Sequence, residues 1–263
     1  MKPLINLQDV SKSYGTKWAV RDLSLQISAG ELFACLGPNG AGKTTTIKMI
    51  TGLLRPTKGR VLVADKDMST NSLEARRCLS YVPDEPHLYE KLSGREFLRF
   101  TREIYGLSGA DVDAYLEELI DTFEMREYVD GLTETYSHGM RQRLVFASAL
   151  LHRPRVLVVD EPMVGLDPKS VRIVKDLLKK AAREGTAIFM STHTLAIAEE
   201  MAHRIGIFHQ GRLIRCGSIE ELRKESAENQ TLEDFFLQVT AHAEVADDGV
   251  EPAAQTPVEK RPA

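Results

Sequence analysis

A glycine-rich loop near the N-terminus has the residue types and the spacing of a phosphate-binding loop. Four residues separate its first and last glycines, Lys and Thr follow at once, and the loop reads Gly37-Pro38-Asn39-Gly40-Ala41-Gly42-Lys43-Thr44-Thr45. Glycine lets the backbone curl so that successive N–H groups face an anion. A lysine ammonium at this position reaches the outer phosphates of a nucleotide, and a threonine hydroxyl here is a magnesium ligand. We therefore predict that this loop binds nucleotide phosphates and that Thr44 binds Mg2+.

Two neighbouring carboxylates, Asp160 and Glu161, follow directly on the apolar run Val156–Val159. Taken alone, an acidic pair at a strand end is an ordinary feature of a solvated loop. Beside a phosphate loop, one such carboxylate can hold magnesium through water, and the next can polarise the attacking water. Because the pair follows the loop in this order, we predict Asp160 as a metal ligand and Glu161 as a catalytic residue.

The elements that must position these residues can be read from the apolar pattern. A phosphate loop needs a strand before it and a helix after it. Leu32–Leu36 is a short apolar run typical of a buried strand, and a helix is expected from about Lys43. After Pro154, apolar runs alternate with helical patterns, at Val156–Val159, 171–182, 187–190 and Leu195–Met201. This alternation predicts a parallel sheet with helices on both faces.

Two further regions flank this predicted core. Apolar and polar residues alternate over 22–28, which together with 5–10 predicts antiparallel strands near the N-terminus. Residues 93–123 show interrupted helical spacing, and another helix is predicted over 139–151. We therefore predict an inserted helical lobe over about residues 86–152.

The end of the chain changes character. The main domain is predicted to span residues 1–225. A capping-box pattern and an apolar stripe predict a C-terminal helix at 226–240. Residues 241–263 are rich in Ala, Pro, Asp and Glu, so we predict a disordered tail there.

The composition limits the possible functions. The chain has 263 residues and a net charge of -4, which argues against a free-standing nucleic-acid binder, so no nucleic-acid partner is expected. Cys35, Cys78 and Cys216 are widely spaced and suit a reducing compartment rather than a disulfide framework or a zinc site. The sequence shows no signal peptide and no run near the ~20 apolar residues that cross a bilayer. We expect a soluble protein that serves any membrane process through a partner.

With these motifs in place, the chain resembles the ATP-binding cassette (ABC) transporter ATPases over about residues 4–225. Tyr136-Ser137-His138-Gly139-Met140 stands where the family has its signature segment, usually Leu-Ser-Gly-Gly-Gln. Gly165-Leu166-Asp167-Pro168 is similar to the family's D-loop, and Ser191-Thr192-His193 is similar to its switch-histidine segment. Tyr14 matches the aromatic residue that stacks on adenine. The resemblance implies an α/β fold: a RecA-like P-loop ATPase core with an N-terminal antiparallel β subdomain and an inserted helical subdomain.

The resemblance also implies how the site works. The nucleotide would be ATP, bound with Mg2+ and hydrolysed. Ser137 and Gly139 would contact the γ-phosphate of ATP held by a second ABC ATPase subunit, in a head-to-tail homodimer or heterodimer. His193 would contact the same phosphate, and Asp167 would belong to the D-loop. Hydrolysis would then loosen the dimer.

Within the family, the chain is similar to single-cassette ATPases that work with a separate transmembrane permease. It would therefore be cytoplasmic and peripheral on the inner face of the cell membrane. The segment 232–236 is similar to C-terminal ends found in the bacterial export branch, which favours an exporter. The alternative is a soluble ABC ATPase that acts on a non-transport macromolecular partner.

Two departures from the family pattern matter. In Tyr81-Val82-Pro83-Asp84, an aspartate replaces the usual glutamine, a neutral magnesium ligand. Asp84 either binds Mg2+, directly or through water, or points to solvent, and it adds negative charge near the phosphates. In the signature segment, His138 and Met140 replace Gly and Gln, while Ser137 and Gly139 remain. We therefore expect a working ATPase.

Overall fold

The computed structural model describes residues 2–225 and 233–238. The strands, numbered β1 to β10, are Ile5–Tyr14, Lys17–Ile27, Leu32–Leu36, Lys58–Val63, Lys66–Asp67, Leu79–Val82, Val156–Val159, Ala187–Thr192, Arg204–His209 and Arg212–Gly217. The helices, numbered α1 to α8, are Lys43–Ile50, Ser72–Arg77, Gly94–Ile104, Ala110–Thr122, His138–Leu150, Pro168–Arg183, Leu195–Met201 and Ile219–Glu225. A short 3-10 helix lies at Thr133–Thr135.

A largely parallel sheet carries the phosphate loop. Its strand order is β10-β9-β3-β8-β7-β6, with β10 antiparallel at one edge. All five residues of β3 are buried, because Leu32, Ala34 and Leu36 face one hydrophobic core while Phe33 and Cys35 face the other. This two-sided burial explains the continuous apolar run. The predicted parallel sheet is confirmed.

The predicted antiparallel strands near the N-terminus are also confirmed. They form a second sheet of order β2-β1-β4-β5, in which Ile5 pairs with Ile27 and Leu7 with Leu25. Residues Leu23, Leu25 and Ile27 are buried, whereas Ser24 and Gln26 are exposed. The period-two pattern therefore packs one face of this sheet into the core beneath the phosphate loop.

The helices α3, α4 and α5 follow one another between residues 94 and 150. Helix α3 begins with a capping box, since the Ser93 hydroxyl accepts a hydrogen bond from the N–H of Glu96 and the Glu96 side chain accepts one from the N–H of Ser93. Helix α5 begins at His138, one residue before its predicted start, because Ser137 supplies the N-cap. The signature segment therefore opens this helix.

The C-terminal prediction is only partly within the described residues. Residues 233–238 are helical, and Phe235 is buried in the core. Residues 226–232 and 239–240 of the predicted helix, and the predicted tail at 241–263, lie outside the described residues. Helix α8 precedes them and was not predicted. Across residues 2–225 and 233–238, no helix has the length and apolar character needed to cross a bilayer.

Candidate nucleotide-binding site

The phosphate loop runs from the end of β3 into the start of α1. Gly40 and Gly42 have φ angles of 82° and 100°, in the left-handed region that favours glycine. A Cβ atom at Gly42 would lie 2.6 Å from the carbonyl oxygen of Ala19, and one at Gly37 would lie 2.3 Å from that of Phe208. Two of the glycines are therefore needed because neighbouring backbone leaves no room for a side chain.

Lys43, the first residue of α1, is buried and held by the loop itself. Its ammonium donates to the carbonyl oxygens of Gly37, at 2.8 Å, and Pro38, at 3.2 Å. The same nitrogen lies 3.5 Å from a carboxylate oxygen of Glu161. The ammonium therefore lies between the loop and the end of β7. A phosphate bound by the loop would interact with this positive charge.

The two predicted acidic residues are linked by a hydroxyl that the sequence analysis named only as part of the switch-histidine segment. Ser191, on β8, donates to Oδ1 of Asp160 at 2.5 Å and accepts from the backbone N–H of Glu161 at 2.9 Å. Asp160 and Ser191 are both buried. Glu161 has a φ of 46°, an uncommon backbone conformation for a residue with a side chain. Ser191 thus orients the Asp160 carboxylate and anchors the backbone of Glu161 just after β7.

His193 lies beside the predicted catalytic carboxylate. Its Nδ1 is 3.0 Å from Oε2 of Glu161, and because a carboxylate only accepts, Nδ1 carries the proton. The imidazole follows directly on β8 and is half exposed, and His193 is not among the residues that line the cavity over the phosphate loop. The structure thus brings Glu161, His193 and Lys43 together.

A cavity of about 750 Å³ lies over the phosphate loop. Its walls include the predicted residues Tyr14, Thr44, Thr45, Asp84 and Asp160. They also include residues that sequence reasoning missed, namely Lys17, Trp18, Ala19, Arg21 and Gln210. Binding sites for small molecules and cofactors have volumes of roughly 300–1,000 Å³. The cavity is therefore large enough for a nucleotide.

Tyr14 stands at the rim of this cavity. Its ring is 55% exposed, and the Lys12 ammonium lies 5.4 Å from the ring centroid. An exposed aromatic face at the mouth of a phosphate site is available for stacking on a base. Its role toward adenine stays a prediction.

Asp84 lies in the same cavity, near the other carboxylates. Partial desolvation of this exposed side chain raises the pKa of Asp84 above its usual value, and the negative charges of Asp160 and Glu161 raise it further. The expected crowding of negative charge around the phosphate loop is therefore present. Its role as a Mg2+ ligand stays a prediction.

The signature segment and the D-loop lie against each other, and their residues are not among those that line the cavity. Ser137 caps α5 by accepting a hydrogen bond from the N–H of Met140 at 3.3 Å. Asp167 caps α6 by accepting from the N–H groups of Lys169 and Ser170, each at 3.0 Å. Hydrogen bonds from the Ser170 side chain and backbone hold the pKa of Asp167 below its usual value. Of the residues described, neither Ser137 nor Gly139 lines the cavity over the phosphate loop.

The oxygen ligands of the site suit magnesium bound together with phosphates. In the described part of the chain, no group of three His, Cys, Asp or Glu side chains is arranged to hold a metal alone. Mg2+ typically takes only one or two carboxylates and completes its shell with water and substrate phosphates. The hydroxyl of Thr44 and the carboxylate of Asp160, both in the cavity wall, fit that pattern.

A phosphate loop after a central strand, with an acid pair at the end of a parallel strand two positions along the same sheet, defines a P-loop ATPase fold. The family model described as "ABC transporter" matches residues 20–164. A second model, described as an AAA domain and putative AbiEii toxin of a type IV toxin–antitoxin system, matches residues 132–199.

Individual relatives agree with the first model. The chain is 39% identical to the uncharacterized ABC transporter ATP-binding protein YhcH of Bacillus subtilis, over 94% of this chain and 78% of that protein. It is 33% identical to the bacitracin transport ATP-binding protein BcrA of Bacillus licheniformis, over 86% of this chain and 73% of BcrA. A solved ATP-binding subunit of an ABC transporter superposes with a TM-score of 0.85 at 31% identity, covering 90% of this chain and 99% of that one. The chain belongs to the ABC transporter family, as an ATP-binding ATPase domain.

Proposed function

We propose that this chain is the ATP-hydrolysing subunit of an ABC exporter, acting as a head-to-tail dimer that drives a separate membrane permease. The observation that carries the proposal is the separation of two half-sites on one chain. The phosphate loop and the acid pair face one cavity, whereas Ser137 and Gly139 lie outside its walls. A complete site then needs the first half from one subunit and the second half from another.

Each side chain of the first half-site has a role toward Mg-ATP. Lys43 and the N–H groups of the loop bind the outer phosphates, and Tyr14 stacks on the adenine. Thr44 and Asp160 are ligands for Mg2+, with Asp84 as a further candidate. Glu161 accepts the proton of the attacking water, and His193 positions Glu161 and contacts the γ-phosphate. The bound Mg2+ would neutralise charge that develops on the phosphates during hydrolysis.

The second half-site is the start of α5. The helix N-terminus, with the Ser137 hydroxyl and the Gly139 N–H, makes an anion site suited to a γ-phosphate. Ser137 is exposed at this end of the helix, so a second subunit has access to it. Hydrolysis removes the phosphate that joins the two subunits, and the dimer then loosens.

The transport role is carried over from relatives. BcrA is by its name a bacitracin transport protein, and this chain covers most of its length. We propose a cytoplasmic subunit, peripheral on the inner face of the cell membrane through a permease. The helical lobe at about 86–152 would present the signature segment to the second subunit.

Two measurements test this function. In a Glu161→Gln background, ATP with Mg2+ should convert the purified chain from monomer to dimer in size-exclusion chromatography, and Ser137→Ala should abolish the conversion. ATP-dependent dimerisation that survives Ser137→Ala contradicts the sandwich. Purification from the native membrane should also recover a polytopic protein. Recovery of ribosomes alone would favour the soluble, non-transport alternative.

A further inference from the structure

The histidine of the signature segment makes a contact inside its own chain. Nε2 of His138, at the start of α5, lies 3.3 Å from the backbone carbonyl oxygen of Val164, just before the D-loop. A carbonyl oxygen only accepts, so Nε2 is the donor in this contact. The glycine that usually stands at this signature position has no side chain with which to make such a bond.

The residue that accepts this hydrogen bond closes a turn that begins at Glu161. The N–H of Val164 donates to the carbonyl oxygen of Glu161 at 3.2 Å, an i to i+3 turn. The other side of Glu161 is held by Ser191, which accepts from its N–H. The catalytic carboxylate therefore sits on a short turn with one anchor on β8 and one on α5.

The space around the imidazole supports a specific fit. A Cβ atom at Gly165, where φ is 71°, would lie 3.3 Å from the Cδ2 and Nε2 atoms of His138. The ring thus packs directly over a glycine of the D-loop, which offers no side chain of its own.

The two helix starts that flank this contact are also bonded to each other. Arg143 of α5 donates to the hydroxyl of Ser170 at 2.9 Å, and this hydroxyl donates to Asp167, the N-cap of α6, at 2.5 Å. A Cβ atom at Gly139 would lie 3.6 Å from the same carboxylate. These contacts fix the start of α5 against the D-loop, so the position of His138 relative to the turn from Glu161 to Val164 is also fixed.

We propose that His138 is a positioning residue that holds the turn from Glu161 to Val164 against the start of α5. This inference rests on the proposed function. In the proposed dimer, the signature segment of a chain serves one ATP and Glu161 of the same chain serves the other. His138 then connects the signature segment, which contacts the ATP of one site, to Glu161, which is the catalytic carboxylate of the other site.

The test compares two substitutions in the full chain. His138→Ala removes the donor and keeps a good helix former, whereas His138→Gln keeps an amide N–H of similar reach. We expect His138→Ala to lower kcat about three- to tenfold, the scale of one hydrogen bond, with the KM for ATP unchanged. His138→Gln should restore at least half of the wild-type kcat. Thermal midpoints of both variants serve as the folding control.

A second readout separates positioning from direct phosphate binding. In the Glu161→Gln background, His138→Ala should leave ATP-dependent dimerisation unchanged, because the phosphate contacts of Ser137 and Gly139 remain. Loss of the dimer, an unchanged kcat in His138→Ala, or a glutamine variant as slow as the alanine variant each overturns the inference. If wild-type chain shows neither hydrolysis nor an ATP-dependent dimer, the proposed function itself fails, which is a different result.

Discussion

Nδ1 of His193 lies 3.0 Å from Oε2 of Glu161, while the other carboxylate oxygen, Oε1, lies 3.5 Å from the ammonium of Lys43. The carboxylate is thus held from two sides, by the end of β8 and by the phosphate loop. This arrangement fixes the orientation of a group that must accept a proton from water.

Replacing Glu161 with Gln keeps the shape of this side chain and removes its basicity. We expect kcat for ATP hydrolysis to fall roughly 100-fold or more, the usual range for a lost general base. ATP binding should persist, because the loop contacts of Lys43 with Gly37 and Pro38 do not involve Glu161. Phosphate release and binding of a fluorescent ATP analogue measure the two effects. A variant that hydrolyses ATP at the wild-type rate would exclude Glu161 as the base.

Ser191→Ala should affect both folding and turnover. The mutation leaves Oδ1 of Asp160 and the N–H of Glu161 without their shared partner in a buried site. We expect the free energy of unfolding to fall by about 1–3 kcal/mol, the cost of leaving buried polar groups unpaired. We also expect a lower kcat, since the Asp160 carboxylate and the backbone of Glu161 each lose an anchor. Urea denaturation and steady-state hydrolysis provide the measurements.

The chain offers a matched control for that experiment. Ser24 donates to Oδ1 of Asp9 at 2.8 Å and accepts from its backbone N–H at 3.0 Å, at an exposed position. Ser24→Ala therefore removes the same two kinds of hydrogen bond where water can replace them. It should cost less than about 0.5 kcal/mol and leave turnover unchanged. If both variants lose the same free energy of unfolding, the burial of Ser191 does not explain the destabilisation by Ser191→Ala.

The parts of the molecule that sequence reasoning predicted well are those with strong local signals. Strands β3 and β7 are uninterrupted apolar runs, because each is buried on both faces, and their ends coincide with the predicted ends. The phosphate loop also has a strong local signal, because the backbone conformation of this short segment requires glycine at fixed positions. Helices α2 and α8, with six and seven residues, are too short to show a clear period, whereas the equally short α7 was predicted from its place in the alternation of strands and helices.

The residues missed in the site depend on contacts between distant parts of the chain. Ser191 meets Asp160 only because β8 pairs with β7 in a particular register. Ala19, on β2, lies against the phosphate loop. A Cβ atom at Gly42 would lie 2.6 Å from the carbonyl oxygen of Ala19. Gln210 lies in the turn between β9 and β10, and nothing in the local sequence shows that this turn reaches the cavity wall. Such pairings become visible only once the two sheets are packed together.

Asp84→Asn should stabilise the chain in the absence of nucleotide and metal. Partial desolvation, together with the charges of Asp160 and Glu161, raises the pKa of Asp84, so ionisation of this carboxyl opposes folding. The folded chain binds this proton more tightly than the unfolded chain, and the penalty therefore grows as pH rises through the carboxyl range. The free energy of unfolding of Asp84→Asn should exceed that of wild type by more at pH 7.5 than at pH 4.5. An equal gain in the free energy of unfolding at both pH values would mean that the charge of Asp84 does not cause the stabilisation.

His152 should make the stability of the chain fall as the pH falls below about 6.5, the usual pKa of histidine. Its ring stacks on Tyr105 with the centroids 3.9 Å apart, and burial lowers its pKa to about 4. Between these two values the unfolded chain binds a proton that the folded chain does not, so the free energy of unfolding drops as the solution is acidified. One proton limits this contribution to about 1.4 kcal/mol per pH unit. His152→Phe keeps an aromatic ring against Tyr105 and removes the titration, and it should reduce the loss of stability between pH 6.5 and pH 4.5. The same substitution at the exposed His87 is the control, and an unchanged pH profile in His152→Phe would show that other groups cause the acid sensitivity.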